Sequence, residues 1–241
     1  FGAGFENSDY KQAGAKIVKE ASDIFNDAEM IVKVKEPLQE EVAMLHKDQI
    51  LFTYLHLAAA PELTAGLIKS KAICIAYETV TDENNRLPLL APMSAVAGRM
   101  SIQAGAHSLE KPQKGRGVLL GGAPGVQPAN VLILGGGVVG ENAAIIATGI
   151  GSNVSIVDIS PKRLNELKIK FGDTIKLLQS DKINLIEHIK NCDLLIGGVL
   201  IPGTNAPKLV SKEMIKHMKR GSVIVDVAID QGGCVETSKP T

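Results

Sequence analysis

The chain has 241 residues, 45% of them apolar, and its 26 basic side chains balance 26 acidic ones. This length allows two domains, and the balanced charge gives no indication of binding to nucleic acid or to an anionic membrane. The longest apolar stretches are interrupted by Gly, Pro or charged residues well before they reach the length of a membrane span. The composition therefore predicts a soluble globular protein.

Cysteine usage predicts a cytoplasmic protein. The three cysteines, Cys74, Cys192 and Cys234, are too few and too scattered for a disulfide framework or a zinc site. We therefore expect reduced thiols and no metal. The sequence opens at Phe1 without a Met or a signal-peptide pattern and stops at Thr241 without an obvious closing element. We expect that both ends have been removed.

The first half of the chain alternates β-rich apolar runs with helical patterns. The runs cover residues 28–34, 49–54 and 72–77, and helical spacing covers residues 38–45 and 61–70. Strands that alternate with helices predict parallel βαβ units.

A loop and a long helix follow these units. Residues 81–90 have loop composition, residues 93–110 form a helical stretch rich in Ala, Gly and Ser, and residues 111–128 form a loop rich in Gly and Pro. We place the domain boundary before the helix, which gives a partial α/β, Rossmann-like domain over 1–88 and a second domain over 89–241 that begins with this helix.

The second domain repeats the same alternation more clearly. Strands are predicted at 131–134, 154–158, 174–178, 194–200 and 223–228, and helices at 141–148, 161–171 and 185–191. This pattern predicts a Rossmann-type, doubly wound parallel sheet.

A glycine-rich turn lies between the first strand and the first helix of this domain. Gly135, Gly137 and Gly140 have the spacing of the dinucleotide-binding fingerprint, in which they serve the tight turn, the close approach of the pyrophosphate and helix–strand packing. The start of the helix presents free N–H groups to phosphates. Asp158 ends the next strand, where a carboxylate accepts ribose hydroxyls and repels a 2′-phosphate. The motif predicts NAD rather than NADP.

Two observations leave alternatives open. Lys162 and Arg163 follow Asp158 closely and could hold a 2′-phosphate. The glycines could also serve packing alone, with Asp158 as the cap of the next helix.

Three ionisable residues follow predicted strands, where ligands of open parallel sheets bind. Lys35 ends the first strand, His56 follows the second, and Asp230 lies beyond the last. A cation, an imidazole and a carboxylate could bind an anionic substrate and transfer protons. Lys35 could equally be a solvated strand end, His56 a loop histidine, and Asp230 a turn or cap residue.

The local sequences around these residues resemble alanine dehydrogenase throughout the chain. The matching stretches are KVKEP (33–37), TYLHLAA (53–59), AYETV (76–80), LPLLAPMSAVAGR (87–99), GVLLGGAPGV (117–126), VLIPG (199–203), APKLV (206–210) and VDVAIDQGGC (225–234). The resemblance implies an NAD-dependent oxidoreductase for the reversible oxidative deamination of L-alanine to pyruvate and ammonium. It also implies a homo-oligomer, generally a hexamer.

The resemblance assigns roles by motif. Lys35 would bind substrate in the partial substrate domain, and His56 and Asp230 would be the acid/base pair. The implied cofactor contacts, besides the three glycines, are Ser94, Val138, Val139, Asp158, Arg163, Ser180, Val199, Leu200, Val227, Ala228 and Ile229.

The chain also departs from the family pattern. The family's substrate-binding arginine near the N-terminus and the C-terminal segment that completes the substrate domain lie outside this sequence. Lys239 stands where the family usually has an arginine.

Two other functions compete with alanine dehydrogenase. The NAD-binding domain of proton-translocating transhydrogenase shares the architecture, but its family carries neither the histidine of TYLHLAA nor the DQGGC run. A non-catalytic NAD-binding fragment is the second alternative, because one wall of the substrate cleft is missing.

Overall fold

The structure is a computed structural model that describes residues 4–180, 182–201 and 204–240, with the backbone alone for residues 182–184. The chain divides into two compact units, Phe1–Val80 and Thr81–Thr241. The sequence-predicted boundary at 88/89 and this division fall in the same loop, residues 81–90, which contains neither helix nor strand.

The first unit is a three-stranded parallel sheet with its helices. Its elements are α1 (Asn7–Gln12), α2 (Ala21–Asp27), β1 (Met30–Val32), α3 (Gln39–Met44), β2 (Ile50–Thr53), α4 (Pro61–Ser70) and β3 (Ile73–Ala76). The strand order is β1-β2-β3, with every pair parallel. Ile31 and Leu51 point to the core, which Phe25, Leu55 and Leu67 complete. Because the strands are parallel, the segments after β1 and β2 leave the sheet at the same edge.

The second unit is a five-stranded parallel sheet with helices on both faces. Its elements are α5 (Ala91–Ser108), β4 (Asn130–Leu134), α6 (Val138–Ile150), β5 (Asn153–Asp158), α7 (Pro161–Phe171), β6 (Lys176–Gln179), α8 (Lys182–Asn191), β7 (Leu194–Gly197), α9 (Lys212–Ile215) and β8 (Val223–Asp226). The strand order β6-β5-β4-β7-β8 confirms the predicted doubly wound, Rossmann-type sheet. The chain reverses direction across the sheet between β4 and β7, where ligands of this fold bind.

Small residues bring α5 close to α6 and to β7. A Cβ added at Gly98 would lie 2.2 Å from the carbonyl oxygen of Val139, and one at Gly105 would lie 2.6 Å from the methyl groups of Leu194. The close packing of this Ala- and Gly-rich helix follows from the missing side chains.

The helices α4 and α7 have the predicted bounds, but other elements differ at their ends. The helix predicted at 93–110 covers Ala91–Ser108, because Pro92 is tolerated in the first turn of a helix. The helix predicted at 141–148 begins at Val138, directly after the glycine turn, and ends at Ile150. The strand predicted at 174–178 is shifted to Lys176–Gln179, and α1, α2 and α9 were not predicted.

The predicted ends of the last two strands were also wrong. The strand predicted at 194–200 ends at Gly197, and the one predicted at 223–228 ends at Asp226. Gly197 and Asp226 are the last residues paired between β7 and β8, so the ladder stops at both together. The chain then forms a 3-10 helix over Val227–Gln231.

Substitution of two glycines of α6 by alanine should change the stability of the protein in opposite directions. A Cβ at Gly140 would lie 1.9 Å from the carbonyl oxygen of Gly135, whereas one at Gly149 would meet no atom within 4 Å. Gly140→Ala should lower the free energy of unfolding by about 1–3 kcal/mol through overpacking. Gly149→Ala should raise it by up to about 1 kcal/mol, because alanine is the better helix former. Urea unfolding of both variants measures this; equal effects would contradict the packing at Gly140.

Candidate functional site

The glycine turn between β4 and α6 leaves open space at one glycine only. Gly135 has a φ of 91°, and a Cβ there would also lie 3.0 Å from the carbonyl oxygen of Gly198. Gly137 is the residue before the first turn of α6, and a Cβ there would meet no protein atom within 4 Å. The fold needs glycine at 135 and 140, whereas at Gly137 the missing side chain leaves room for an outside group.

Asp158 joins this turn to the end of β5. Its Oδ2 accepts the N–H of Gly136 at 2.7 Å, and its Oδ1 accepts the N–H of Ser160 at 2.8 Å. The cap of α7 is Ser160, whose hydroxyl accepts the N–H of Arg163 at 3.2 Å. Asp158 is therefore not the helix cap, and each of its oxygens keeps a further lone pair for a ligand.

The guanidinium of Arg163 is engaged by protein groups. Its Nε donates to the carbonyl oxygen of Gly136 at 2.6 Å, and its terminal nitrogens pair with Glu141 and with Glu166, the latter at 2.8 Å. Burial alone would lower the pKa of Arg163, but its hydrogen bonds to Glu166 and Glu141 raise it. Glu141 also pairs with Lys170. The Arg163 cation thus binds groups of the protein itself and supports the glycine turn at the carbonyl oxygen of Gly136.

A cavity of about 690 Å³ lies within the second unit at the carboxyl ends of β4, β5 and β7. The sequence-predicted residues that line it are Ser94, Gly135, Gly137, Val138, Val139, Asp158, Ser180, Val199 and Leu200. The structure therefore brings most of the predicted cofactor contacts into one concave surface. Residues 202 and 203 of the VLIPG stretch lie outside the described residues.

Other lining residues were missed by the sequence analysis. The loop after residue 81 contributes Asp82, Asn85 and Arg86. Asp82 Oδ1 accepts the N–H groups of Asn84 and Arg86, at 2.9 and 2.8 Å, so the loop is closed on itself. Its polar composition had predicted only a loop, and no periodic signal could have placed it against the glycine turn.

Some predicted contacts do not line this cavity. Gly140 and Arg163 contact the glycine turn from within the protein. Val227, Ala228 and Ile229 lie in the 3-10 helix after β8, where Ala228 is buried in the apolar core. Asp230 is exposed in the same segment.

Hydrogen bonds to the Asp226 carboxylate join the two ends of the segment that carries Asp230. The Asp226 carboxylate accepts the N–H of Cys234 at 3.3 Å and that of Val235 at 3.0 Å, and the Lys208 ammonium donates to the carbonyl oxygen of Gly232. Sequence reasoning missed Asp226 and Lys208. The nearby buried Cys234 has a pKa raised to about 12 by burial and by Asp226, so this thiol stays protonated.

His56 lies just beyond β2 in the first unit, in an unusual backbone conformation. Its φ of 46° and ψ of 40° are left-handed, and Glu78 accepts its N–H at 2.6 Å. Its Nδ1 contacts the carboxylate of Glu36. Lys35 is exposed, and its carbonyl oxygen accepts the Thr53 hydroxyl at 2.9 Å. The structure thus places Lys35 and His56 at the same edge of this sheet, while their convergence with Asp230 stays a prediction.

A larger cavity, about 1040 Å³, lies between α3 and α4 of the first unit and contains no predicted site residue. No helix among the described residues combines the length and the apolar character that crossing a bilayer requires.

Fold and site together define an α/β protein of the Rossmann type with a glycine turn, an acidic residue on the next strand and a cavity between them. The alanine dehydrogenase/PNT C-terminal domain matches residues 101–241, and the N-terminal domain of the same family matches residues 1–97. The chain belongs to the alanine dehydrogenase/PNT family.

Individual relatives agree with this assignment. The chain is 57% identical over 240 residues to the alanine dehydrogenase of Halomonas elongata, covering 100% of the chain and 65% of that protein. A solved structure of L-alanine dehydrogenase superposes with a TM-score of 0.89 at 56% identity, covering 100% of this chain and 66% of that one. A transhydrogenase from Sinorhizobium meliloti has a TM-score of 0.78 at 26% identity, with coverage of 99% and 69%. The chain thus spans just under two thirds of the alanine dehydrogenases that it matches.

The ion pairs of Glu141 make a pH prediction. Burial would raise its pKa, but hydrogen bonds from Lys170 and Arg163 lower it below the usual 4.5. The stability that these pairs contribute is present above pH 4.5 and is lost as the pH falls through the lowered pKa. Glu141→Gln should therefore cost about 1 kcal/mol near neutral pH, and the cost should shrink in acid.

Urea unfolding of both proteins at neutral and acidic pH measures this difference. Glu213→Gln, which removes an exposed pair with Lys216, is the control and should change little at either pH. A cost of Glu141→Gln that does not depend on pH would contradict the role of the ion pairs.

Proposed function

We propose that this protein is an NAD-dependent oxidoreductase that converts L-alanine reversibly to pyruvate and ammonium. The observation that carries the proposal is the open side of Gly137, which faces a cavity that also contains Asp158. A protein that needed the glycines for packing alone would have no reason to keep this position free of a side chain. Family membership and 57% identity to an alanine dehydrogenase support the choice of reaction.

The residues at the cavity fit a nicotinamide dinucleotide. Gly137 and the start of α6 would hold the pyrophosphate, because backbone N–H groups point out of a helix start and no side chain blocks them. The free lone pairs of Asp158 would accept the adenosine ribose hydroxyls. Ser94, Ser180, Val199 and Leu200 would line the remaining surface. When bound, the coenzyme supplies the hydride acceptor for the Cα–H of alanine.

The same residues support NAD over NADP. The carboxylate of Asp158 would face a 2′-phosphate and repel it. Of the two cations that follow Asp158, Arg163 already pairs with Glu141 and Glu166 and donates to Gly136, whereas Lys162 is exposed. Freeing Arg163 would leave Glu166 without this partner and Glu141 with Lys170 alone, so the network opposes that rearrangement.

The chain's own ionisable residues would perform the acid–base steps. Lys35 would bind the substrate carboxylate at the edge where His56 also lies. His56 would take up and return protons as the amino group becomes an iminium and water adds to it, and Asp230 would act as the second acid/base. Oxidation of alanine and addition of water release pyruvate and ammonium. The backbone of Val227, Ala228 and Ile229 would then line the nicotinamide end of the coenzyme site.

Other functions are less well supported. The transhydrogenase from Sinorhizobium meliloti shares the fold at 26% identity, compared with 57% for an alanine dehydrogenase. His56 and the run Gln231-Gly232-Gly233 favour the dehydrogenase. A non-catalytic NAD-binding fragment stays the alternative for a chain that spans just under two thirds of its relatives. The hexamer and the cytoplasmic location belong to this proposal as well.

Gly137→Ala separates coenzyme binding from packing. The added methyl group meets no protein atom, so the free energy of unfolding should change by less than about 1 kcal/mol. The same methyl group would obstruct the pyrophosphate, and we expect NADH binding to weaken by at least about tenfold, or 1.4 kcal/mol. Fluorescence titration with NADH measures this, with Gly149→Ala as the control. Unchanged affinity would contradict the proposed coenzyme site.

His56→Gln tests the proposed chemistry. Loss of a positioned acid/base should lower alanine-dependent NADH formation by about 10²–10⁴-fold, while the NADH dissociation constant stays close to that of the wild type. His46→Gln, an exposed histidine of the same unit, should retain the wild-type rate. Wild-type turnover in His56→Gln would remove His56 from the mechanism, and NADH binding without any alanine-dependent reaction in the wild type would favour the binding fragment.

A further inference from the structure

Two carboxylates from different parts of the first unit converge on His56. Glu36 follows Lys35 after β1, and Glu78 lies in the 3-10 turn after β3. Each contacts a different part of the histidine: Glu36 its ring, and Glu78 its backbone. Neither residue has a role in the function proposed above.

Glu36 fixes the protonation pattern of the imidazole ring. Its Oε1 contacts Nδ1 of His56, and the two side chains are 31% and 11% exposed. Burial would raise the pKa of Glu36, but its hydrogen bond to His56, aided by the nearby Lys35 charge, lowers it. A carboxylate that is ionised near neutral pH only accepts hydrogen bonds, so Nδ1 must carry the hydrogen. The lone pair of the neutral ring is then on Nε2.

Glu78 holds the backbone from which the ring projects. It is 7% exposed, and it accepts the N–H of Leu55 at 3.1 Å and that of His56 at 2.6 Å. His56 has a φ of 46°, a conformation that non-glycine residues adopt only when surrounding contacts compensate its cost. The buried carboxylate provides that compensation, because it satisfies two successive N–H groups.

The ring of Tyr54 restricts the imidazole further. The two rings are nearly parallel, at 7°, with centroids 5.9 Å apart. Rotation of the imidazole about its Cβ–Cγ bond would break both this stacking and the contact with Glu36. Carboxylate, backbone and stacked ring together leave one orientation and one tautomer.

We propose that Glu36 is a positioning residue for His56, which holds the neutral imidazole as the Nδ1–H tautomer so that Nε2 is the atom that exchanges protons with the substrate. This inference rests on the proposed acid/base role of His56. A carboxylate that orients a catalytic histidine through Nδ1 acts without touching the reacting atoms. The opposing interpretation is an ion pair that only stabilises the loop.

The tautomer can be observed directly by nitrogen NMR. The protein is labelled with ¹⁵N-histidine, and the resonances of His56 are identified by their loss in His56→Gln. At a pH where the ring is neutral, the wild type should show a protonated Nδ1 and an unprotonated Nε2. In Glu36→Ala the Nε2–H form should appear, because nothing then holds the proton on Nδ1. An ion pair that only stabilised the loop would not set which nitrogen is protonated in this way.

Steady-state kinetics provide the second readout. Glu36→Ala should lower kcat for alanine oxidation by about 10–100-fold, a typical cost of losing the partner that orients a histidine, with KM within about threefold of the wild type. Glu36→Gln, whose amide oxygen can still accept from Nδ1–H, should recover part of the loss. Glu40→Gln, an exposed carboxylate of α3, should change neither readout.

Two outcomes would overturn the proposal. One is an Nε2–H tautomer in the wild type, and the other is an unchanged tautomer in Glu36→Ala. If Glu36→Ala does not fold, Glu36→Leu gives the same decision, because it also lacks an acceptor for Nδ1–H; kcat and tautomer equal to the wild type in that variant would reject the proposal. Wild-type turnover in His56→Gln would refute the proposed acid/base role of His56 instead, while leaving the tautomer measurement intact.

Discussion

The backbone of Gly136 is held by hydrogen bonds at both its N–H and its carbonyl oxygen, and the geometry of the site depends on them. Its N–H donates to Asp158, and the carbonyl oxygen of the same residue accepts from Arg163. Hydrogen bonds to charged groups contribute about 1.5–3 kcal/mol each, which is enough to keep a glycine-rich turn in one conformation. With that turn fixed, α6 begins at Val138, and the open side of Gly137 faces the cavity.

This arrangement gives single residues two roles. Asp158 ties the glycine turn to β5 and also lines the cavity, so a substitution there changes both the turn and any ligand contact. Arg163 is held by Glu141 and Glu166 and supports the turn from behind. The ion pairs of the fold therefore hold Arg163 at the glycine turn, while Asp158 lines the cavity. The same economy is found around His56, where Glu36 and Glu78 fix ring and backbone separately.

Local patterns predicted the parts of the fold in which sequence neighbours interact. Glycine spacing located the turn, and α7 was predicted with correct bounds because Pro161 begins it and its apolar face is periodic. Because the carboxyl ends of parallel strands lie at one edge of a sheet, the predicted strands before Lys35 and His56 indicated that these residues share an edge. The end of β8 was missed because Asp226 turns back to bond Cys234 and Val235, which no periodicity in the sequence indicates.

Contacts between distant residues account for what the sequence did not reveal. Glu36 and Glu78 are separated from His56 by about twenty residues on either side, so only the pairing of β1, β2 and β3 brings them together. Asp82 and Arg86 reach the cavity through a self-bonded loop of ordinary polar composition. Short helices such as α9 carry too few residues for a periodic signal.

The central claim is that the carboxylate of Asp158 determines which dinucleotide binds. Titration of the wild type and of Asp158→Asn with NADH and with NADPH tests it most directly, with Asp173→Asn, an exposed acid in the same unit, as the control. The account predicts that the wild type prefers NADH, and that Asp158→Asn loses NADH affinity by about 10–100-fold together with most of that preference. Equal binding of both coenzymes by the wild type, or an undiminished preference in Asp158→Asn, would contradict it.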